Sequence, residues 1–317
     1  MLRRRDFIQK TAVAGSILSL ASVLAASHNN VPSDDLETHI FSKHLQFLNY
    51  QEMAKAAKEI GFDGVELTVR PGGHVLPERV EEDLPKAVAA VREQGLKADM
   101  IVTAITKSNA LARNILETAA GLGIKAYRLG YYRYPKEVSI SDGLAIAKDQ
   151  FHKLSKLNKE LGILGHYQNH AGGVIGASIW EIWQMLEATD ESAMGCQYDI
   201  RHAMVEGGFG WPNGLRLIKP RITCLVAKDY RWEMEDGKWK LINTPLGEGM
   251  IDFVSYFKKI QEYGIQVPIT VHYEYPMGGA EHGNAKLHGR SQEQVFDAMR
   301  KDLVKLKRFW EEASEKK

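Results

Sequence analysis

A single-domain (β/α)8 barrel is the fold class predicted for residues 37–317, and three observations lead to it. Eight apolar runs alternate with eight segments of helical pattern. Those segments are long enough to serve as the crossovers that parallel strand pairing needs. No Gly-rich phosphate turn follows the first apolar run, whereas a doubly wound open sheet would carry one and would more usually stop at five to seven strands. The count of eight therefore selects the closed barrel. No linker, low-complexity tract or charge block divides the segment.

His39 to Leu48 reads as the first strand, and Tyr50 to Ile60 as its helix, with Met53, Ala56, Ala57 and Ile60 on one face and Gly61 as the stop. Gly64 to Val69 is the second strand, which opens into Arg70-Pro71-Gly72-Gly73-His74 before the helix Val80 to Gln94. Ala98 to Ile105 and Ala126 to Gly130 are the third and fourth strands, separated by a helix over Asn109 to Leu122. Ser141 to Leu161 is a long amphipathic helix, after which a fifth strand begins near Ile163. Ser178 to Ala188 is helical, with Ser178 and Glu181 at capping-box spacing. Met194 to Ile200, Ile222 to Ala227 and Val267 to Glu274 complete the strands. Trp211 to Ile218, Ile251 to Tyr263 and Gln292 to Glu312 complete the helices. The acidic stretch Glu233 to Lys238 reads as a solvated loop.

Residues 1–30 read as a leader outside this fold. Arg3-Arg4-Arg5 opens a basic segment, and the small, apolar run Thr11 to Ala26 is too short and too rich in Ala and Ser for a membrane span. Arg4-Arg5 followed by Phe7-Ile8 resembles a twin-arginine export signal, cleaved near Ala25 or Ala26. The expectation is an exported, periplasmic protein with no stable membrane anchor. Its 41 Lys and Arg balance 40 Asp and Glu, and a net charge of +1 gives no electrostatic footprint for nucleic acid. Cys196 and Cys224 lie in separate apolar runs and are expected as buried free thiols.

Catalytic groups of such a barrel come from the C-terminal strand ends. The centre of the pattern is Gly165 to Gly173, where His166, Gln168 and His170 alternate and so share one wall. The other strand ends add Glu66 with His74, Arg128, Asp199 with His202, Lys228, Asp229 and Arg231, and Glu274. Asp199 and Glu274 beside a neutral donor on the fifth strand form a workable set for a divalent ion such as Mn, Mg or Zn. Such an ion would bind a carbonyl and a neighbouring hydroxyl of a sugar and stabilise an enediolate. Glu274 or His202 would carry the proton, while Lys228 and Arg128 would hold an oxyanion or carboxylate. Tyr131, Tyr132, Tyr134, Trp211, Trp232 and Tyr275 form an aromatic set suited to a pyranose face, with half of them expected in packing. The loop His272 to His288 reads equally as a substrate lid or as a solvent-facing turn.

Six stretches carry a family resemblance: Gly64-Val65-Glu66-Leu67, Gln168-Asn169-His170-Ala171-Gly172, Asp199-Ile200-Arg201-His202, Lys228-Asp229, Pro245 to Asp252, and Glu274-Tyr275-Pro276. With them the chain resembles the xylose isomerase-like TIM-barrel superfamily of sugar isomerases and epimerases. Several members use a metal held by Glu, Asp, His or Gln, and Glu. The resemblance implies Asp199 and Glu274 as two ligands. It puts neutral Gln168 where a Glu is expected, and Val226, which cannot ligate, where a His or Gln is expected; His170 is then the substitute donor. The metal set is therefore Gln168, His170, Asp199 and Glu274, with a metal-free site centred on Lys228 as the alternative. Catalysis is assigned to Glu274, His202 and Lys228. Binding of a small carbohydrate is assigned to Glu66, His74, Arg128, His166, Arg231 and Trp232. The activity expected is isomerisation or epimerisation of a sugar or keto-sugar, ahead of elimination, by proton abstraction next to a carbonyl. A non-catalytic sugar-binding barrel is the alternative, and a DNA-repair endonuclease is disfavoured by the leader, the balanced charge and the missing additional histidines.

Overall fold

The computed structural model of the protein describes residues 36–315, so the expected leader and its cleavage point lie outside the described residues. In chain order the elements are β1 (Thr38–Phe41), α1 (Tyr50–Ile60), β2 (Gly64–Val69), α2 (Val80–Glu93), β3 (Lys97–Thr103), α3 (Ala110–Gly121) and β4 (Ala126–Arg128). Next come α4 (Ile140–Leu161), β5 (Leu164–Gln168), α5 (Ile179–Leu186), β6 (Met194–Asp199), α6 (Ile200–Gly207), α7 (Trp211–Ile218) and β7 (Ile222–Ala227). The chain ends with β8 (Asp229–Glu235), β9 (Lys238–Thr244), α8 (Phe253–Glu262), β10 (Ile269–Val271) and α9 (Gln292–Ser314). Strands close in the order β1-β10-β7-β6-β5-β4-β3-β2, which is the (β/α)8 barrel that the alternating pattern predicts. Every barrel pairing is parallel.

Local chemistry sets the helix boundaries. Asn49 and Glu52 form a reciprocal capping box at the start of α1, and Gly61 ends that helix in the left-handed conformation with φ 110°. Ser291 and Gln294 repeat the box at α9. Outward-facing strand residues pack under the helices, where Tyr127, Tyr167, Tyr198, Tyr256 and Tyr273 are fully buried. Inside the barrel, Met100, Ala126, Leu164 and Cys224 form an apolar cluster. Both cysteines are free and buried, as expected. Among the described residues no helix is long and apolar enough to cross a membrane.

Three departures from the sequence reading matter for the site. The first strand stops at Phe41 and turns through a 3-10 segment, Ser42–Leu45. The turn is held by Ser42 Oγ, which accepts from Thr68 N at 2.9 Å. Strands β4 and β10 end at Arg128 and Val271, so Glu274 stands on the loop beyond the last strand. The stretch read as a solvated loop is the tip of an antiparallel hairpin, β8 with β9, that pairs Trp232 with Leu241 and Met234 with Trp239. Asp236 and Gly237 turn it with φ 52° and 73°, the left-handed pair a two-residue hairpin loop requires.

Candidate active site

Asp199 ends β6 and caps α6, its Oδ1 accepting from His202 N at 3.1 Å. Neighbouring Asn169 clamps it from β5: Asn169 Oδ1 accepts from Asp199 N at 2.7 Å, and its Nδ2 donates to Asp199 O at 2.9 Å. That cross-strand clamp leaves Asp199 Oδ2 free to face the barrel axis. Lys228, the residue after β7, brings Nζ to 3.0 Å from Oδ2 and to 2.8 Å from His202 Nε2. Gln168 Nε2 donates to the same Oδ2 at 2.8 Å, while its Oε1 accepts from Arg128 at 2.7 Å and from Tyr131 Oη at 2.6 Å. The amide thus faces a carboxylate with its donor side and a guanidinium with its acceptor side. Asp199, Gln168, His202 and Lys228 are all buried.

On the loop after β10, the strand next to β7, Glu274 Oε1 lies 3.2 Å from Lys43 Nζ, which the turn after β1 delivers. Burial alone would raise the Glu274 carboxyl, but the Lys228 and Lys43 charges override it and hold it down to about 2. Burial, with Lys228 adding to it, pushes the His202 ring far below the usual imidazole range and the His170 ring down to about 4. The His170 and His202 rings lie tilted at 37° with centroids 4.0 Å apart, and Tyr131 lies against His170 at 4.8 Å. Arg201 Nη1 lies 2.9 Å from His202 Nδ1 and its Nη2 donates to Asn243 Oδ1 at 2.7 Å, which ties the ring to the hairpin base.

A second polar layer lies deeper in the barrel. Glu66 Oε1 accepts from Gln197 Nε2 at 2.7 Å and from Thr270 Oγ1 at 2.6 Å, and burial raises its carboxyl. Its other oxygen has no hydrogen-bond partner and lies 3.9 Å from His272 Nε2, which is likewise unpartnered. His166 is buried with both ring nitrogens unpartnered, and burial pushes it down to about 3.

The geometry brings together Gln168, Asp199, His202, Lys228, Arg128 and, through its electrostatic coupling to Lys228, Glu274. It assigns other places to three expected binding residues. His74 is spent on structure: Nε2 lies 3.2 Å from Leu45 O and Nδ1 3.3 Å from Thr68 Oγ1, which pins the β2 loop to the first turn. Arg231 pairs with Glu233 and lines a groove shared by Pro245, Tyr275 and α9. Trp232 stands exposed on the hairpin. Tyr132, Trp211 and Tyr275 are packing residues, the last donating to Asp302 at 2.9 Å. The loop after β10 packs on the first turn, where His44 Nδ1 contacts Ala280 O at 3.1 Å. Asp229 organises the Pro245–Gly249 turn by accepting from Gly247 N and Gly249 N, both at 2.9 Å. Lys43 and Phe41 escaped the sequence reading, while Arg70 and His272 were read only as members of the loops Arg70–His74 and His272–His288. For Lys43 the cause is physical: a residue read inside a strand running to Leu48 has no reason to face the mouth.

The residues expected as a metal set are engaged with one another and with protein charges. Among the described residues, no group of three or more His, Cys, Asp or Glu side chains converges as a donor set. Gln168 turns its amide nitrogen, not its oxygen, toward Asp199, and Val226 is apolar. The Lys228 ammonium lies against the Asp199 oxygen a divalent ion would need, and Glu274 is paired with Lys43. These residues do not fit a divalent ion; they form a site whose central positive charge belongs to the protein.

Comparison with known proteins agrees with this architecture. The family model described as xylose isomerase-like TIM barrel matches residues 54–290. No relative was found among the curated proteins. The 3-keto-D-glucoside 4-epimerase of E. coli, in its apo form, superposes with a TM-score of 0.63 at 14% identity over 86% of this chain and 99% of that one. A D-allulose 3-epimerase from Methylomonas sp. gives 0.64 at 16% identity over 86% and 98%. A xylose isomerase-like TIM barrel protein from Mycobacterium smegmatis, in complex with magnesium, gives 0.59 at 13% identity over 84% and 98%. At these identities the likeness is one of fold.

Proposed function

Because the chain belongs to the xylose isomerase-like TIM-barrel family, we propose that it is an exported enzyme that isomerises or epimerises a sugar or keto-sugar by abstracting a proton next to a carbonyl. The observation that carries this reading is the buried Asp199–Lys228–His202 cluster, at 3.0 and 2.8 Å, placed at the strand ends beside the Glu274 carboxylate, to whose charge Lys228 is coupled. Export is supported by the Arg4-Arg5 leader alone.

The chemistry follows from the donors. Lys228 carries three N–H groups, of which Asp199 accepts one while His202 Nε2 lies 2.8 Å away, so at least one is available to a substrate carbonyl oxygen. An ammonium held in a buried setting stabilises the negative charge that develops on that oxygen as a proton leaves the neighbouring carbon. Beyond Asp199, Glu274 is the carboxylate coupled to Lys228, so it is the group placed to accept that proton; the Lys228 and Lys43 charges that hold it low make it a weak base, and a substrate that draws either lysine away raises its basicity. Gln168 and Arg128 hold Asp199 and Tyr131 in register around the reacting atoms.

The test is proton exchange in deuterated buffer with a panel of keto-hexoses and 3-keto-glycosides, followed by NMR. Deuterium should enter the carbon next to the carbonyl, and Lys228→Met and Glu274→Gln should each reduce the rate at least about hundredfold. Binding of a sugar without exchange would overturn the enzymatic reading in favour of a non-catalytic sugar-binding barrel.

A further inference from the structure

Phe41, the last residue of β1, faces the barrel mouth with three cations around its ring. Arg128 Cζ lies 5.1 Å from the ring centroid, Arg70 Cζ 5.3 Å and Lys43 Nζ 5.6 Å. Only Lys43 has a carboxylate partner, Glu274. Arg70 and Arg128 have no carboxylate within ion-pair distance among the described residues; Arg128 bonds the neutral Gln168 oxygen, and its Nε is buried without a partner. Burial lowers the Arg70 guanidinium, and the Arg128 charge lowers it further.

Two guanidiniums held on one ring repel each other, Arg128 buried and Arg70 half-exposed, and the carboxylates that act on them, Glu66 on Arg128 and Glu274 on Arg70, do so from beyond ion-pair distance. Stacking on Phe41 offsets part of that repulsion but neutralises nothing. The arrangement is therefore complete only when a ligand supplies negative charge. There is space for it on the Arg70 side: a cavity of about 390 Å³ is lined by Lys43, Gln46, Arg70, Gly72, His282 and Gly283, with Arg128 behind Arg70 across the Phe41 ring. Lys43 borders both this cavity and Glu274, so a ligand anchored here reaches the proposed proton acceptor.

We propose that the substrate is an anionic sugar whose carboxylate or phosphate is gripped by Arg70 and Arg128 beside Phe41, while its carbonyl end lies between Lys228 and Glu274. This deepens the proton-transfer reading and rests on it for the carbonyl end alone. Planar guanidiniums match both a carboxylate and a phosphate with paired donors, so the shared chemistry is an oxyanion on the sugar terminus.

The experiment is isothermal titration of the mature protein with D-fructose, D-fructuronate and D-fructose 6-phosphate, which differ only at the terminal carbon. At low ionic strength at least one anion should bind about tenfold or more tightly than the neutral ketose, and the advantage should shrink with added salt. Whichever of carboxylate or phosphate ranks first identifies the source. Arg70→Ala, a half-exposed position whose loss should leave the fold intact by circular dichroism, should bring the anion-to-neutral ratio close to one. Equal binding of all three sugars, no binding of either anion, or a preference that survives Arg70→Ala would overturn the proposal. None of those outcomes bears on deuterium exchange, so the proton-transfer reading stands or falls on its own assay.

Discussion

Lys228 Nζ lies 3.0 Å from Asp199 Oδ2, and both side chains are buried at the centre of the barrel mouth. A buried ion pair is costly to break from one side, because the remaining charge is left without a partner. Lys228→Met should therefore destabilise the fold by about 3–5 kcal/mol in urea unfolding. The double variant Asp199→Asn/Lys228→Met should recover most of that loss, since neither residue then carries a buried charge. Similar stability for wild type and Lys228→Met would show that the pair is not formed.

Asn169 offers a subtler probe, because it touches Asp199 only through backbone atoms. Asn169→Asp keeps the acceptor for Asp199 N and replaces the donor to Asp199 O with a second oxygen. Two oxygens would then face each other in a buried place, a loss of about 2–3 kcal/mol. Proton exchange should fall with it, because Asp199 no longer holds Lys228 in position. Unfolding midpoints and exchange rates measured together check both halves.

Asp302 on α9 supplies a pH prediction away from the site. Burial raises its carboxyl to about 6, although the hydrogen bond from Tyr275 works against that shift. A carboxyl whose folded value lies above its unfolded value of 3.8 binds more protons folded than unfolded between those limits. Stability carried by this group is therefore greatest below pH about 4 and is lost as pH rises to about 6, up to roughly 3 kcal/mol. Asp302→Asn keeps an acceptor for Tyr275 and should flatten that part of the stability profile. An unchanged slope between pH 4 and 6 would contradict the shift.

Much of the fold was legible because its signals are periodic. Eight alternations of apolar run and amphipathic helix have few solutions, and Gly61 marks a helix end by local chemistry. Asp199, His202, Gln168 and Lys228 were legible as strand-end polar residues. Their geometry was not, because no local rule tells which way the Gln168 amide turns or that the Lys228 ammonium takes the Asp199 oxygen. Lys43 and Arg70 stayed hidden for a different reason: their position depends on where β1 stops, and Ser42 settles that by bonding across to Thr68. The β8–β9 hairpin did carry its signal, Asp236-Gly237 between Trp232/Met234 and Trp239/Leu241, but the surrounding charges made it read as loop.

At this site the positive charge is assigned to Lys228 and not to a divalent ion. Elemental mass spectrometry tests it most directly, on the mature protein dialysed against Mn, Mg and Zn ions and then against buffer, beside Asp199→Ala and Glu274→Ala. Less than about a tenth of an ion per chain is expected in all three proteins, because the ammonium occupies the Asp199 oxygen and the remaining donors do not converge. Near-stoichiometric metal in the wild type, lost in both variants, would contradict it.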